Sequence, residues 1–320
     1  MIDVLVPATG SPFLDVVFTG LPRVPVPGEE VVADDVAFVP GGSLTAAIVL
    51  TRLGYKVLYE ARLGRDFASS FLLAAMETEG MSTEAVVIDD DARACVTVAY
   101  NHGGDRSFLT YAHPSPPPDP LLVDTYQPRA VLVDGLRVGE SCVEVLRRAK
   151  KIGALRLADV QDTAPTLAET GTRELLSEID VINLNEREAK RLTGAAELET
   201  ALAVLADIIP TVVLKKGAAG SAALWAWGHS ELPAIPTDVL DLTGCGDNYF
   251  GALTAALLDG CVMEECLAWG NCAGHLAAQH PGGTAGRYDK ATLTKLVERH
   301  YGDLIIPDPL RNVQLEPTER

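Results

Sequence analysis

The chain has 320 residues, 48% of them hydrophobic, which is enough for one large domain or two. Its net charge of −18 and its pI of about 4.7 argue against non-specific binding to nucleic acid and to anionic membranes. It contains no apolar run long enough to span a membrane, and its start does not resemble a signal peptide. We therefore expect a soluble, cytoplasmic protein.

The first elements are a strand and a helix that begins at paired glycines. Residues 2–8 form an apolar, strand-like run, and Asp15 follows as a single acid among apolar neighbours. Asp15 is either a capping residue or a ligand for hydroxyl groups. Gly41 and Gly42 open an apolar helix. Asp66 is expected to be the N-cap of the next helix.

The next segment alternates between apolar and polar residues. Residues 84–111 have a period of two, with a hairpin-turn signal at 101–105. Together with residues 16–39 they predict a small antiparallel sheet inserted into an α/β chain. Residues 113–120 are rich in proline, which predicts a stiff connector between this sheet and the body.

Strands and helices then alternate. Helices are expected at 141–152, 171–178, 186–193 and 197–207, with apolar strands between them. Repeated β-α-β units predict a parallel sheet covered on both faces, with ligands beyond the carboxyl ends of its strands. Four polar residues lie at such ends: Asp159, Asp162, Asn185 and Glu188.

Asn185 and Glu188 are three residues apart in the first turn of a predicted helix, so their oxygens face the same way. Amide and carboxylate oxygens are ligands that Mg²⁺ accepts, often through water. An acidic first turn also complements the helix dipole without any metal.

Residues 241–258 carry the strongest signal. Gly244, Cys245 and Gly246 form a small-residue turn, and an apolar helix follows directly. The first amides of a helix lack internal partners and attract anions, phosphate above all. Asp247 is adjacent, where a carboxylate can take a proton from an attacking hydroxyl. A phosphate cradle beside a base predicts phosphoryl transfer.

The segment D-L-T-G-C-G-D at 241–247 resembles the D-T-x-G-A-G-D signature of the ribokinase-like (PfkB) carbohydrate kinases, and the N-x-x-E at 185–188 matches a second motif of that family. The resemblance implies an α/β fold with three α/β/α layers, a central, mostly parallel sheet and a small antiparallel β lid. It implies a kinase domain over 1–312, a lid formed by about 16–40 and 84–112, and a polar tail at 313–320.

The resemblance also implies ATP and Mg²⁺, with K⁺ as a further cofactor, and a homodimer formed through the lid. The catalytic residues that it implies are Asp247, Gly244, Cys245 and Gly246. The acceptor-binding residues that it implies are Asp15, Gly41, Gly42 and Thr45. The implied nucleotide-binding residues are Lys216, Gly217, Gly220 and Asn271. The implied metal ligands are Asn185 and Glu188 for Mg²⁺, and Asp241 and Thr243 for a monovalent cation.

Two departures from the family pattern leave alternatives open. Cys245 replaces the usual alanine, and the asparagine expected after the paired glycines is missing, with Thr45 near its place. The acceptor is a sugar or, alternatively, a nucleoside whose base would need an apolar wall such as Phe13 or Phe38. A non-catalytic sugar-binding regulator on a kinase scaffold is the other alternative, and the intact Asp247 argues against it.

Overall fold

A computed structural model of the chain describes residues 1–102, 105–161 and 164–305. Several expectations lie outside these residues: the hairpin glycines at 103–104, Asp162, the polar tail at 313–320, and the last residues of the predicted kinase domain, 306–312. The side chains at 101–106 are also not described.

The elements follow the predicted alternation. The strands are β1 (Val4–Val6), β2 (Pro12–Thr19), β3 (Asp35–Gly42), β4 (Val57–Tyr59), β5 (Ala61–Leu63), β6 (Val86–Ile88), β7 (Cys95–His102), β8 (Asp105–Tyr111), β9 (Ala130–Asp134), β10 (Leu155–Asp159), β11 (Val181–Asn185), β12 (Thr211–Lys215), β13 (Ser221–Trp225) and β14 (Gly228–Leu232). The helices are α1 (Ser43–Arg52), α2 (Phe67–Thr78), α3 (Leu121–Tyr126), α4 (Glu140–Lys151), α5 (Thr172–Ser177), α6 (Glu186–Thr193), α7 (Leu198–Ala206), α8 (Cys245–Leu258), α9 (Met263–Ala277) and α10 (Lys290–Tyr301).

The larger sheet has eight strands within the described residues, in the order β14-β13-β12-β11-β10-β9-β1-β4. The six strands from β12 to β4 pair in parallel, whereas β13 and β14 add an antiparallel edge. The carboxyl ends of the parallel strands therefore meet at one edge of the sheet.

Apolar residues on both faces of the parallel strands bury them between two helical layers. In β9, Ala130 and Leu132 pack into a core shared with α1, α8 and α9, while Val131 and Val133 pack into a second core with α4, α6 and α7. Strands that are buried on both faces have continuous apolar sequences, which is why the strands of this sheet could be predicted. The predicted three-layer α/β/α fold is confirmed.

The smaller sheet, which we call the lid, has the order β3-β2-β7-β8. The outer pairs are antiparallel, and the central β2–β7 pair is parallel. One expectation needs correction: Val86–Ile88, inside the predicted lid segment 84–112, pairs with β5 in a separate two-stranded sheet. Asp66 caps α2 as predicted, since its Oδ1 accepts the Ser69 amide at 3.0 Å.

No helix among the described residues is both long and apolar enough to cross a bilayer.

Candidate active site

A row of polar side chains crosses the carboxyl ends of three parallel strands. Asp159 of β10 is in register with Asp134 of β9 and Asn183 of β11. Because side chains alternate along a strand, all three face the same side as Leu132 and Leu157, which pack in the core with α8. Lys215, the last residue of β12, donates to Asp159 Oδ1 at 2.8 Å. The row therefore lies beneath the start of α8.

The start of α8 has the predicted form. Gly244 is the N-cap, with φ +72°, and a Cβ there would lie 2.2 Å from Gly283 Cα, so the position requires glycine. Within the described part of the chain, no side chain caps this end. One expectation needs refinement, because the Cys245 amide already donates to Leu242 O at 3.3 Å. Gly244 and Gly246 remain the predicted phosphate donors.

Asp247 lies in the first turn of α8 and is half-buried. One carboxylate oxygen from each of Asp134, Asp159 and Asp247 lies within 4.8 Å of the other two. This trio is the one cluster of three or more potential metal ligands found among the described residues.

Asp15 approaches the same space from the lid. It is 7% exposed, and burial first, then Asp247 and Asp241, raise its pKa from 3.8 to about 7. Gly41 makes room for it, because a Cβ at Gly41 would lie 1.9 Å from Asp15 Oδ2. An acid on the lid and an acid on α8 therefore lie within electrostatic reach of each other, and their shared role at one site stays a prediction.

The other predicted acceptor residues are packed. Gly42 is the N-cap of α1 with φ +61°, and a Cβ there would lie 2.4 Å from Phe13 Cδ2. Thr45 is 1% exposed, and its Cγ2 lies against Gly283. The acceptor-binding role of these residues stays a prediction.

Two loops are bonded together beside Gly244. Asp241 Oδ1 accepts the Thr243 amide at 3.0 Å and its hydroxyl at 2.9 Å, while Oδ2 accepts the Gly282 amide at 2.7 Å. Asn248 was not among the predicted site residues, but its Nδ2 donates to the carbonyls of Gly244 at 2.8 Å and Gly283 at 2.7 Å. An asparagine directly after Asp247, at the start of an apolar helix, was the sequence signal available for it.

Asn185 and Glu188 form a reciprocal cap of α6. Asn185 Oδ1 accepts the Glu188 amide at 2.9 Å, and Glu188 Oε2 accepts the Asn185 amide at 2.7 Å. Glu188 also acts on Lys215: burial lowers the pKa of that ammonium, but Asp159, Glu188 and Asp247 outweigh it and raise the pKa. The cap thus lies within electrostatic reach of the site, and its magnesium role stays a prediction.

The lysine that faces the site is Lys215, not Lys216. Lys215 Nζ would lie 3.3 Å from a Cβ at Gly246, whereas Lys216 pairs with Glu231. The nucleotide-binding role had been predicted for Lys216. Because alternate residues of a strand face opposite sides, only one of two adjacent lysines can face α8.

The remaining nucleotide-binding candidates have structural contacts of their own. Gly217 begins a short 3₁₀ turn, and a Cβ at Gly220 would lie 2.0 Å from Leu232 O. Asn271 of α9 is 9% exposed and donates to Pro233 O at 3.2 Å. These contacts leave their predicted nucleotide role untested.

Comparison with known proteins gives a consistent answer. The profile of the pfkB family carbohydrate kinases matches residues 6–290. The chain is 27% identical over 246 residues to probable fructokinase-4 of Arabidopsis thaliana, covering 71% of this chain and 76% of that protein. It is 26% identical over 264 residues to the aminoimidazole riboside kinase of Salmonella typhimurium, covering 76% and 83%. The solved structure of Arabidopsis thaliana ribokinase with ribose and ATP superposes with a TM-score of 0.75 at 26% identity, covering 93% and 99%.

Proposed function

The chain belongs to the PfkB family of carbohydrate kinases, and on that premise we propose that it transfers the γ-phosphoryl group of ATP to a hydroxyl group of a sugar or sugar-like acceptor. One observation carries the proposal: Asp247 lies in the first turn of a helix that begins at a glycine, and after burial it is the next largest cause of the raised pKa of Asp15 on the lid. An anion cradle, a base and a ligand for the acceptor near one another support phosphoryl transfer to that acceptor.

In this mechanism Asp247 takes the proton of the acceptor hydroxyl as the hydroxyl oxygen attacks the γ-phosphorus. The amides of Gly244 and Gly246 stabilise the charge on the transferring group at the positive end of the α8 dipole. Asp15, once ionised, accepts a hydrogen bond from another acceptor hydroxyl and so fixes the orientation of the acceptor.

Asp247→Asn tests the central role. We expect it to fold normally and to lower kcat by about 10²–10⁴, the usual contribution of a general base. Asp207→Asn, which removes an exposed acid at the end of α7, is the matched control and should keep full activity. Production of ADP across a panel of sugars measures both. Near-normal kcat in Asp247→Asn would remove this residue from the mechanism, and no turnover in the wild-type protein would favour the non-catalytic regulator.

A magnesium role for Asn185 and Glu188 is supported because both offer hard oxygen donors and Glu188 lies within electrostatic reach of Lys215, although Asn185 Oδ1 and Glu188 Oε2 also accept each other's backbone amides. When bound, the ion would neutralise charge on the nucleotide phosphates. We expect Asn185→Ala with Glu188→Ala to lower activity most at limiting Mg²⁺ and to weaken Mn²⁺ binding measured by electron paramagnetic resonance. Overlapping magnesium titrations of the double variant and the wild type would refute the role.

The monovalent-cation role of Asp241 and Thr243 has weaker support, since both Asp241 oxygens already accept protein donors. Activity in K⁺ against tetramethylammonium at equal ionic strength tests it. Equal rates would leave Asp241 as a residue that only holds the two loops together.

A nucleoside acceptor is the second candidate, and the lid supports it. Phe108 of β8 is half-exposed and continues the row Val17–Ala99, on the same face as Asp15. The prediction that Phe38 forms an apolar wall for the base of a nucleoside is wrong, because Phe38 pairs with Val16 and so faces away from Asp15. If the acceptor is a nucleoside, Phe108→Ala will raise the KM for nucleosides and leave the KM for free sugars unchanged.

We also propose a homodimer through the outer face of the lid. Phe38, Val16, Val98 and Leu109 form one apolar row across its four strands, with Leu109 71% exposed. Exposed apolar surface of this kind is typical of an interface. Leu109→Lys should convert a dimer into a monomer in light scattering.

A cytoplasmic location is supported by the six cysteines, all of which are free thiols.

A further inference from the structure

Asp134 is a fully buried acid beside the base, and the mechanism above does not use it. Its exposure is 0%, and its Oδ1 accepts the Gln161 side-chain amide at 2.8 Å. Its Oδ2 is buried and has no hydrogen-bond partner among the described residues. One carboxylate oxygen from each of Asp134, Asp159 and Asp247 lies within 4.8 Å of the other two.

The charges in this cluster do not balance if all three acids are ionised. Asp159 is compensated, because Lys215 donates to its Oδ1 at 2.8 Å and Asn183 at 2.7 Å. Asp247 must be ionised to act as a base. Asp134 has one neutral amide donor and no ion pair among the described residues. A buried carboxylate with no cation is strongly disfavoured, so a proton on Asp134 is the simplest way to neutralise it.

We propose that Asp134 works as a neutral carboxylic acid whose Oδ2–H donates to the carboxylate of Asp247 and fixes the orientation of that base. The inference rests on the proposed role of Asp247 as base. The unpartnered oxygen becomes a donor once it is protonated, and we assign the Asp247 carboxylate as its acceptor because one oxygen of Asp247 lies within 4.8 Å of an oxygen of Asp134. The proton stays on Asp134 throughout the reaction, so Asp134 is a positioning residue and Asp247 alone receives the acceptor proton.

The electrostatic surroundings agree with a neutral Asp134. Burial, then Asp247 and Asp159, raise its pKa well above the usual range, while Gln161 and Lys215 oppose the shift. The titratable groups that face it are Asp159 on β10, Lys215 on β12, Asp247 on α8 and Tyr59 on β4. Ionisation at alkaline pH would remove the donor and place a second negative charge beside the base.

Infrared spectroscopy tests the protonation directly and without turnover. At pH 8 the wild type minus Asp134→Asn difference spectrum should contain the C=O stretching band of a protonated carboxyl group. Asp15→Asn is the control, because Asp15 has a pKa of about 7 and is mostly ionised at pH 8. Absence of the band overturns the proposal.

Kinetics test the positioning role. Asp134→Asn keeps a neutral donor of the same shape and should retain most of the wild-type kcat. Its kcat should not fall at alkaline pH, where the wild-type kcat falls because Asp134 ionises. Asp134→Ala should lower kcat about 10- to 100-fold, as expected for a lost hydrogen bond to a charged group, with the acceptor KM unchanged. Equal losses in the two variants, or an unchanged alkaline limb in Asp134→Asn, would contradict the proposal. Failure of Asp247→Asn to lower kcat would instead contradict the role of the base.

The rival explanation is that a divalent ion, and not a proton, neutralises the three acids. Mn²⁺ binding without nucleotide, measured in the Asn185→Ala/Glu188→Ala background, separates the two. We expect no tight site there. A tight site that Asp134→Asn abolishes would overturn the proposal in favour of a metal.

Discussion

Replacing Asp15 with asparagine should stabilise the protein at neutral pH while impairing acceptor binding. Asp15 is 7% exposed and has a folded-state pKa of about 7, because burial and then two nearby acids disfavour its charged form. A pKa that is higher in the folded than in the unfolded state gives stability that is complete below the unfolded pKa and lost as pH rises through the folded pKa. Ionised Asp15 therefore destabilises the native protein above pH 7.

The size of the effect follows from the two pKa values. The difference between 3.8 and about 7 corresponds to roughly 4 kcal/mol at about 1.4 kcal/mol per pKa unit. Asparagine carries no charge at any pH. Relative to the wild type, the free energy of unfolding of Asp15→Asn should thus increase by about 1.4 kcal/mol per pH unit between pH 5 and 7, and then level off.

Urea unfolding of the ligand-free protein at half-unit steps from pH 5 to 8 measures this difference, with Asp207→Asn as the exposed control. The same variant should lose about 10- to 100-fold in acceptor kcat/KM at pH 8, because it no longer offers a charged acceptor to the substrate hydroxyl. A stability difference that is constant across the pH range would refute the reasoning, since it would mean that Asp15 titrates alike in both states.

Three further predictions concern the start of α8. Gly244→Ala should destabilise the protein by more than Gly54→Ala, since both glycines have positive φ, at +72° and +94°, but only the first meets a neighbouring backbone; thermal unfolding of the pair isolates the clash. Lys215→Met leaves Asp159 buried without its cation and should cost about 3–5 kcal/mol in urea unfolding, against under about 1 kcal/mol for Lys216→Met; similar losses would contradict the assignment. Asn248→Leu should lower kcat, because it removes the hydrogen bonds that hold Gly244 against the loop at Gly283. A loss of stability with normal kcat would refute this.

Local sequence signals predicted much of the fold and the phosphate end of the site. The helices around 186–193 and 197–207 lie within a residue or two of their predicted positions, because apolar periodicity and capping residues fix them locally. Gly244 was predictable for the same reason, since a turn with positive φ followed by a helix is specified by neighbouring residues. Asp66 likewise caps its helix through a bond to a residue three positions away.

Long-range pairing decided what the sequence could not predict. The parallel β2–β7 pair joins segments about eighty residues apart, so no local pattern distinguishes it from an antiparallel pair. The row formed by Asp134, Asp159 and Asn183 depends on the register of three separate strands. The sequence predicted that strand ends converge, but a register shift of one residue would turn each side chain to the other helical layer. Asp134 could therefore not be assigned to the site beforehand.

The acids of this site lower the stability of the protein, which is an argument that they serve function. Both Asp15 and Asp134 have pKa values raised by burial, so each destabilises the folded state as pH rises above its unfolded pKa. Sites built for chemistry commonly retain such groups at the expense of stability. The double variant Asp15→Asn/Asp134→Asn should therefore be more stable than either single variant at pH 8, yet less active than Asp134→Asn alone. A double variant less stable than the wild type would show that these carboxyl groups hold the fold together and would remove the functional explanation for their burial.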